Sequence, residues 1–288
     1  MNILRTLLIL LLFASVEVCQ AASKADFLPV DSVFIERVLA EAKDGKATGN
    51  MALFFARKFI GRPYVAHTLE KHDIERLVVN TRELDCTTLV ENVTALTLCA
   101  GSKRYTFSDF LAVLEQFRYR RGKLDGYTSR LHYFSDWIAD KTAMGVVADI
   151  QGPVPPFTAV KKLNIYYMSK NSRSYKALRL HPEFVADIRK QERALSGTTF
   201  RYIPKASVAN AALLRGVIND GDIIAIVSNK GGLDIAHLGF AVWHADGLHL
   251  LNASMIHRKV VDEPMTLYRY LQKHPSHAGL RILRIITQ

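Results

Sequence analysis

A change of periodicity about two-thirds of the way along the chain constrains the fold more than any single motif. Up to about residue 195 the apolar residues recur mainly at helical spacing. Residues 33–42, 51–59, 86–98, 106–118 and 181–195 predict helices. Beyond them, residues 222–227, 237–244, 248–253 and 280–286 are short runs of Ile, Val and Leu that predict strands, with a short helix at 266–273 between the last two. Helices first and an antiparallel sheet second is an α+β pattern. Residues 69–80 suggest a strand or short helix, and 119–137 are polar, aromatic and irregular. The segment 151–158 holds Gly152, Pro153, Pro155 and Pro156. No shift of composition follows it, so it predicts a loop within one domain spanning 22–288.

The first residues, MNILRTLLILLLFASVEVCQA, pair a basic Arg5 with an apolar run and end in small residues. That is the pattern of a secretory signal peptide cut after Ala21, and the run is short of the ~20 residues a membrane span needs. A lipid anchor on Cys19 fits less well, because Glu17 and the bulky Val18 precede it. No later run reaches spanning length. The expected protein is soluble, monomeric and periplasmic or secreted. Cleavage removes one base and one acid, so the net charge of +11 is unchanged. Such a charge suits an anionic wall or lipid partner, and equally serves solubility. No finger, helix-turn-helix spacing or basic tract interleaved with aromatics points to nucleic acid.

Two thiols remain after cleavage, Cys86 and Cys99. In an oxidising compartment a disulfide is the default. Asp85, however, is a good N-cap, and Leu89, Val93 and Leu96 follow at helical spacing. If one helix carries both cysteines, their thirteen-residue separation is ~19 Å, far beyond the ~7 Å that a bridge allows. Cys99 then reads as an inert core thiol. Cys86 sits in the first helical turn, where the helix dipole and free N–H groups favour the thiolate, with Asp85 opposing only in part. It lies on the core-facing side of its helix, which fits both a nucleophile and a buried structural cysteine.

A nucleophile needs a base. Among the ten histidines, His237 opens a strand and shares a face with Gly239 and Ala241, whose small side chains leave a trough into which the Cys86 helix end could pack. Leu238, Phe240 and Val242 face the other way, toward a core. Asp246-Gly247 signals a hairpin turn. A loop at these two residues pairs Ala245 with Leu248, Trp243 with Leu250 and Ala241 with Asn252. Asn252 then shares the face of His237 but stands four residues further along, ~13 Å in a flat ladder. Ser254 is nearer and competes as the residue that orients the imidazole. His244 and His249 face each other across the hairpin, but no carboxylate is placed to complete a metal site.

Three stretches together resemble the NlpC-type, papain-like cysteine hydrolases of bacterial cell walls: LDCTTLVENVTAL at the cysteine, GLDIAHLGFAVW at the histidine and LLNAS at Asn252. The nearer resemblance is to the N-acetylmuramoyl-L-alanine amidase-like family, long described as a domain of unknown function. It runs from about residue 50 to the C-terminus and is carried also by FIGRPYVAHTLE, FRYRRGKLDGYTSRLHYFSDW, MSKNSRSYKAL, FRYIPK and INDGDIIAIVSNKGGLDIAH.

The resemblance implies a papain-like α+β fold with Cys86 as nucleophile, His237 as general base and acid, and Asn252 as orienting residue. Many relatives carry histidine at that third position, so Asn252 is a departure. It implies that Tyr64 lies beside the nucleophile and that Arg130, His132, Tyr133 and Asp234 line the substrate cleft. The implied reaction is hydrolysis of the amide between N-acetylmuramic acid, in some substrates the 1,6-anhydro form, and L-alanine in peptidoglycan fragments, with no metal or cofactor. Three alternatives remain at this level. They are a γ-D-glutamyl–diamino-acid endopeptidase of the same superfamily, a non-catalytic peptidoglycan-binding protein, and a papain-like acyltransferase, for which no acceptor site is evident.

Overall fold

The computed structural model describes residues 25–287, so the proposed signal peptide lies outside the described residues. Two helices come first, α1 (Pro29–Lys43) and α2 (Met51–Arg57). Pro29 suits the first turn of α1, where its missing N–H costs nothing. The Asp31 carboxylate accepts from the Leu28 N–H at 2.9 Å, the Thr81 N–H at 2.9 Å and the Thr81 hydroxyl at 2.8 Å. It therefore ties the start of α1 to the segment that leads into the next helix.

That helix, α3 (Cys86–Gly101), is the hub of the helical layer. Asp85 Oδ1 accepts from the Thr88 N–H at 2.8 Å, and Thr88 Oγ1 accepts from the Asp85 N–H at 2.9 Å, a reciprocal capping box. Every residue from Thr88 to Ala100 is buried. The helix packs on α1, α2, α4 (Phe107–Arg118) and the sheet, which is why its sequence is apolar or small almost all round. Glu91, buried within it, meets Arg118 of α4 at 2.7 Å. Cys86 and Cys99 are both free thiols at opposite ends of this one helix, as the spacing argument required.

Short 3₁₀ turns fill the irregular segment before α5 (Phe134–Ala143). Then comes β3 (Val147–Ile150), following the two-residue β1 (Ala25–Asp26) and β2 (Leu77–Val78), which pair in parallel. Of residues 69–80 only Leu77–Val78 is regular structure. The main sheet has eight antiparallel strands in the order β4 (Ala159–Lys162), β5 (Thr199–Pro204), β10 (His277–Ile285), β6 (Ile223–Ser228), β7 (Ile235–His244), β8 (Gly247–Ser254) and β9 (Lys259–Asp262), with β3 pairing the far half of β10. The loop at 151–158 thus joins two strands of the same sheet. Between β4 and β5 lie three helices, α6 (Tyr167–Lys170), α7 (Lys176–Leu180) and α8 (Phe184–Leu195). Then α9 (Ala211–Arg215) precedes β6 and α10 (Leu267–Gln272) precedes β10.

The expectation of four strands is corrected: β3, β4, β5 and β9 also belong to the sheet. The sheet divides two cores. Leu238, Phe240, Val242, Leu251 and Ala253 face the helical layer, whereas Ile224, Ile226, Ala241, Leu250 and Ile282 face α10. A third cluster lies under the α6–α8 insertion.

The β7–β8 hairpin corrects the expected register. His244 pairs with Gly247, Trp243 with Leu248 and Ala241 with Leu250. The loop residues are Ala245 and Asp246, not Asp246 and Gly247. The slip is two residues, so every side chain keeps its face. It also shortens the gap. Continued to position 237, this register sets Ser254 opposite His237 and Asn252 one diagonal step away, within side-chain reach. The expected trough is not open to the helix either. A Cβ on Gly239 would lie 2.7 Å from the Leu251 carbonyl oxygen and 2.8 Å from the Leu250 side chain, so the neighbouring strand fills it.

Candidate active site

Cys86 is the first residue of α3, immediately after its cap, and is half-buried. It lines the same cleft as Thr87, His237 and Leu238, and α3 packs on β7 there. Leu238 follows His237 directly, so this end of α3 faces β7 beside the imidazole. A bulge helps to place that imidazole. Ile226 pairs with His237 but Val227 pairs with Ile235, leaving Ala236 as an extra residue. Bulges of this kind re-aim the side chain beside them.

Asn252 is fully buried, and its Oδ1 stands 2.9 Å from His237 Nε2. Its Nδ2 donates to the Leu250 carbonyl at 3.1 Å, which fixes which amide atom faces the ring. An amide oxygen only accepts, so His237 carries its proton on Nε2 and presents a bare Nδ1 lone pair. Ser254, the competing candidate, instead accepts from the His257 N–H at 3.2 Å in the β8–β9 turn.

The electrostatics differ from the sequence expectation. Burial, reinforced by Asp85, pushes the Cys86 thiol up to about 12, against hydrogen bonds from Leu238 and Thr87 that favour the thiolate. Loss of solvent outweighs those hydrogen bonds. Burial also depresses His237, with the Asn252 contact opposing. Both groups are driven toward their neutral forms.

Cys86, Thr87, His132, Tyr133, Asp234 and His237 line one cleft of ≈ 240 Å³, together with His67, Glu70, Tyr127, Met168 and Tyr175. Three of the expected substrate-binding residues thus reach it. His132 Nε2 donates to the Tyr127 carbonyl at 2.9 Å, and burial and Arg130 push it down to about 3, so it stays uncharged. The Tyr133 hydroxyl donates to Glu192 at 2.7 Å and accepts from the Met168 N–H at 2.9 Å, which anchors the insertion to the cleft wall. Asp234 accepts from the Ser135 N–H at 2.6 Å and so joins the start of β7 to α5.

Tyr64 is not a wall of this cleft. It is held beside α3 by its N–H to the Arg258 carbonyl and by the bonds of its neighbours Pro63 and Val65 to Leu84, and the nearby Cys86 and Asp85 add to burial in pushing its hydroxyl up to about 12. Arg130 is a correction. Its guanidinium is buried between Glu70 and Glu75, stacked 5.0 Å from the Tyr127 ring, and it lines a neighbouring recess of ≈ 140 Å³. Burial opposes its charge, and Glu75 and Glu70 more than restore it.

Sequence reasoning missed the column of rings behind His237. Tyr270 stacks on His237 at 6.4 Å, His274 lies tilted against Tyr270 at 4.7 Å, and His277 stacks on His274 at 4.6 Å. Only Tyr270 lies on α10; His274 and His277 follow its end, so no periodic pattern signalled the column. The cleft residues Glu70, His67 and Tyr175 were missed for want of any local pattern. The expectation that no carboxylate stands by His244 and His249 is also corrected: Asp262 of β9 does.

Cys86 and His237 thus line one cleft, with the Asn252 amide fixed behind the imidazole ring. Comparison with known proteins agrees with a hydrolytic family. The N-acetylmuramoyl-L-alanine amidase-like family matches residues 54–280, and the chain belongs to it. An N-acetylmuramoyl-L-alanine amidase from Bacteroides uniformis is 43% identical and superposes with a TM-score of 0.77, covering 82% of this chain and 97% of that one. A protein from Bacteroides fragilis described as a putative xylanase is 42% identical, with a TM-score of 0.75 over 80% of this chain and 99% of that one. A Legionella pneumophila protein at 23% identity and TM-score 0.65 shares the fold, over 88% and 97% of the two chains. No curated protein sequence matches the chain.

Proposed function

We propose that the protein is a papain-like cysteine amidase that cleaves the bond between N-acetylmuramic acid and L-alanine in peptidoglycan fragments. The observation that carries this reading is the chain of contacts from Leu250 through Asn252 to His237 Nε2, which leaves Nδ1 free on the cleft that holds Cys86.

The steps follow from the protonation states. His237 Nδ1 takes the thiol proton as the sulfur attacks the lactyl carbonyl. The backbone N–H groups at the start of α3 stabilise the oxyanion. The imidazolium protonates the departing L-alanine nitrogen, leaving a thioester on Cys86. His237 then draws a proton from water, which releases the muramyl carboxylate and the thiol. The resting pair is neutral, so proton transfer accompanies attack. In this reading Tyr133, His132 and Asp234 shape the cleft wall that meets substrate, and Tyr64 buttresses the nucleophile from the other side. The +11 charge favours an anionic wall polymer, and the first 21 residues direct export to where that polymer lies.

Glycan cleavage, as the name of the Bacteroides fragilis protein would suggest, calls for two free carboxyl groups across the cleft. Glu70 and Asp234 are the carboxylates there, but Arg130 holds the first and the Ser135 N–H the second.

Incubation with defined muropeptides, read by mass spectrometry, tests the bond. Release of intact peptide starting at L-alanine supports the proposal. Scission within the peptide assigns a γ-D-glutamyl endopeptidase instead, and binding without cleavage assigns a binding protein. Anhydro and reducing-end substrates side by side give the glycan preference, for which we propose the anhydro form.

A further inference from the structure

The end of β7 remote from His237 holds a second cluster that the proposed hydrolysis does not use. His244 ends β7, His249 lies on β8 and Asp262 ends β9. Val242 pairs with His249 and Leu251 with Asp262, so the alternation of side chains sets all three on one face of three adjacent strands. Their ligating atoms lie within 4.8 Å of one another. His244 Nε2 is 3.1 Å from each Asp262 oxygen, and the two imidazole rings are 4.2 Å apart.

The hydrogen bonding of His249 points to a cation. Its side chain is 4% exposed, and its Nδ1 stands 2.7 Å from the Glu263 carbonyl oxygen. That oxygen can only accept, so the proton is on Nδ1. Nε2 then faces the Asp246 carboxylate, 2.8 Å away. At 2.8 Å a proton bridges the two, and a metal ion on Nε2 would take the place of that proton. A backbone carbonyl holding the remote N–H is the usual support for a metal-bound imidazole.

We propose that His244, His249 and Asp262 bind a divalent transition-metal ion of the zinc class, with the fourth position open to water. Two imidazoles with a carboxylate and no thiolate suit zinc and its neighbours, and are wrong for calcium or magnesium, which take oxygen ligands. Bonds of ~2.0–2.1 Å place tetrahedral ligand atoms about 3.3–3.4 Å apart. The present 3.1 Å between His244 and Asp262 needs only a slight opening. The ion would clasp the edge strand β9 to β7 and β8. It lies seven residues from His237 along β7, ~24 Å in an extended strand, so it serves stability and not the cleft. The inference stands apart from the proposed amidase chemistry.

The test uses the untagged Cys86→Ala protein, whose active-site thiol cannot compete for metal. After chelator treatment it is titrated with zinc by calorimetry and with cobalt(II) by visible absorption. One equivalent is expected, with tetrahedral cobalt bands and a raised Tm. His244→Ala and Asp262→Asn, both on outer side chains, should each weaken binding roughly 100-fold while keeping the far-ultraviolet spectrum of the metal-free parent. Absence of stoichiometric binding, or unchanged affinity in both variants, overturns the proposal.

Discussion

The first turn of α3 and its middle treat buried titratable groups in opposite ways. In the middle, Glu91 meets Arg118 at 2.7 Å, and the attraction lifts the arginine despite burial. At the first turn, burial outweighs the contacts that favour charge on Cys86 and His237, Asp85 near His237 included, and drives both toward neutrality. Asp31 stands between these cases. Burial raises its pKa, but hydrogen bonds from Thr81, Leu28 and Arg82 bring it below the ordinary carboxylate value. The ion pair and Asp31 are compensated, and the pair we assign to chemistry is not. Cys99, at the far end of α3, is likewise pushed up to about 12 by burial, so a place on the cleft is what sets Cys86 apart. Uncompensated burial in a cleft is what a functional site looks like in physical terms.

The comparison can be broken most forcefully at the compensated end. Arg118→Ala leaves Glu91 buried and alone, which should cost about 3–5 kcal/mol in denaturant unfolding. A loss under about 1 kcal/mol would mean the pair is not the brace described. At the other end, Asn252→Ala frees the His237 ring while leaving the thiol in place. We expect roughly 10²-fold lower kcat with a small change in KM.

The same burial sets the acid limb of activity. His237 acts as a base only when neutral, and burial lowers its pKa below 6.5. Therefore kcat/KM should hold as pH falls to 6.5 and decline only beneath it. A midpoint above 6.5 would contradict the account.

Asp31→Asn should cost about 1–3 kcal/mol at neutral pH, because the carboxylate bonds to several donors. A depressed carboxyl contributes stability above its unfolded pKa of about 3.9 and loses it as pH falls through the folded value. Urea midpoints of the two proteins should thus converge below about pH 4. The smallest effect is expected from Asp85→Ser, which keeps a capping oxygen but removes the charge beside Cys86. Iodoacetamide should then modify Cys86 a few-fold faster, with Tm little changed.

Much of the site could be read from the sequence because it rests on local rules. The Asp85 cap placed Cys86 on a helix start, and strand parity placed Asn252 on the face of His237. The hairpin register was off, yet a two-residue slip cannot move a side chain to the other face, so the pairing survived the error. β4, with its sequence AVKK, escaped notice because a half-exposed edge strand carries no apolar run. Arg130 was misread for a different reason: its partners Glu70 and Glu75 lie far away in the chain, and nothing local reveals an ion pair. Asp262 beside His244 and His249 depends on β9, and so was lost with that strand. The column of Tyr270, His274 and His277 required knowing that α10 lies under β7.

The most direct test of the central claim is intact-protein mass spectrometry of enzyme acid-quenched during turnover of an N-acetylmuramoyl peptide. The account predicts an added muramyl acyl mass on the peptide that contains Cys86, none on Cys99, and no product release by Cys86→Ala. Undiminished release of L-alanyl peptide by that variant would contradict it.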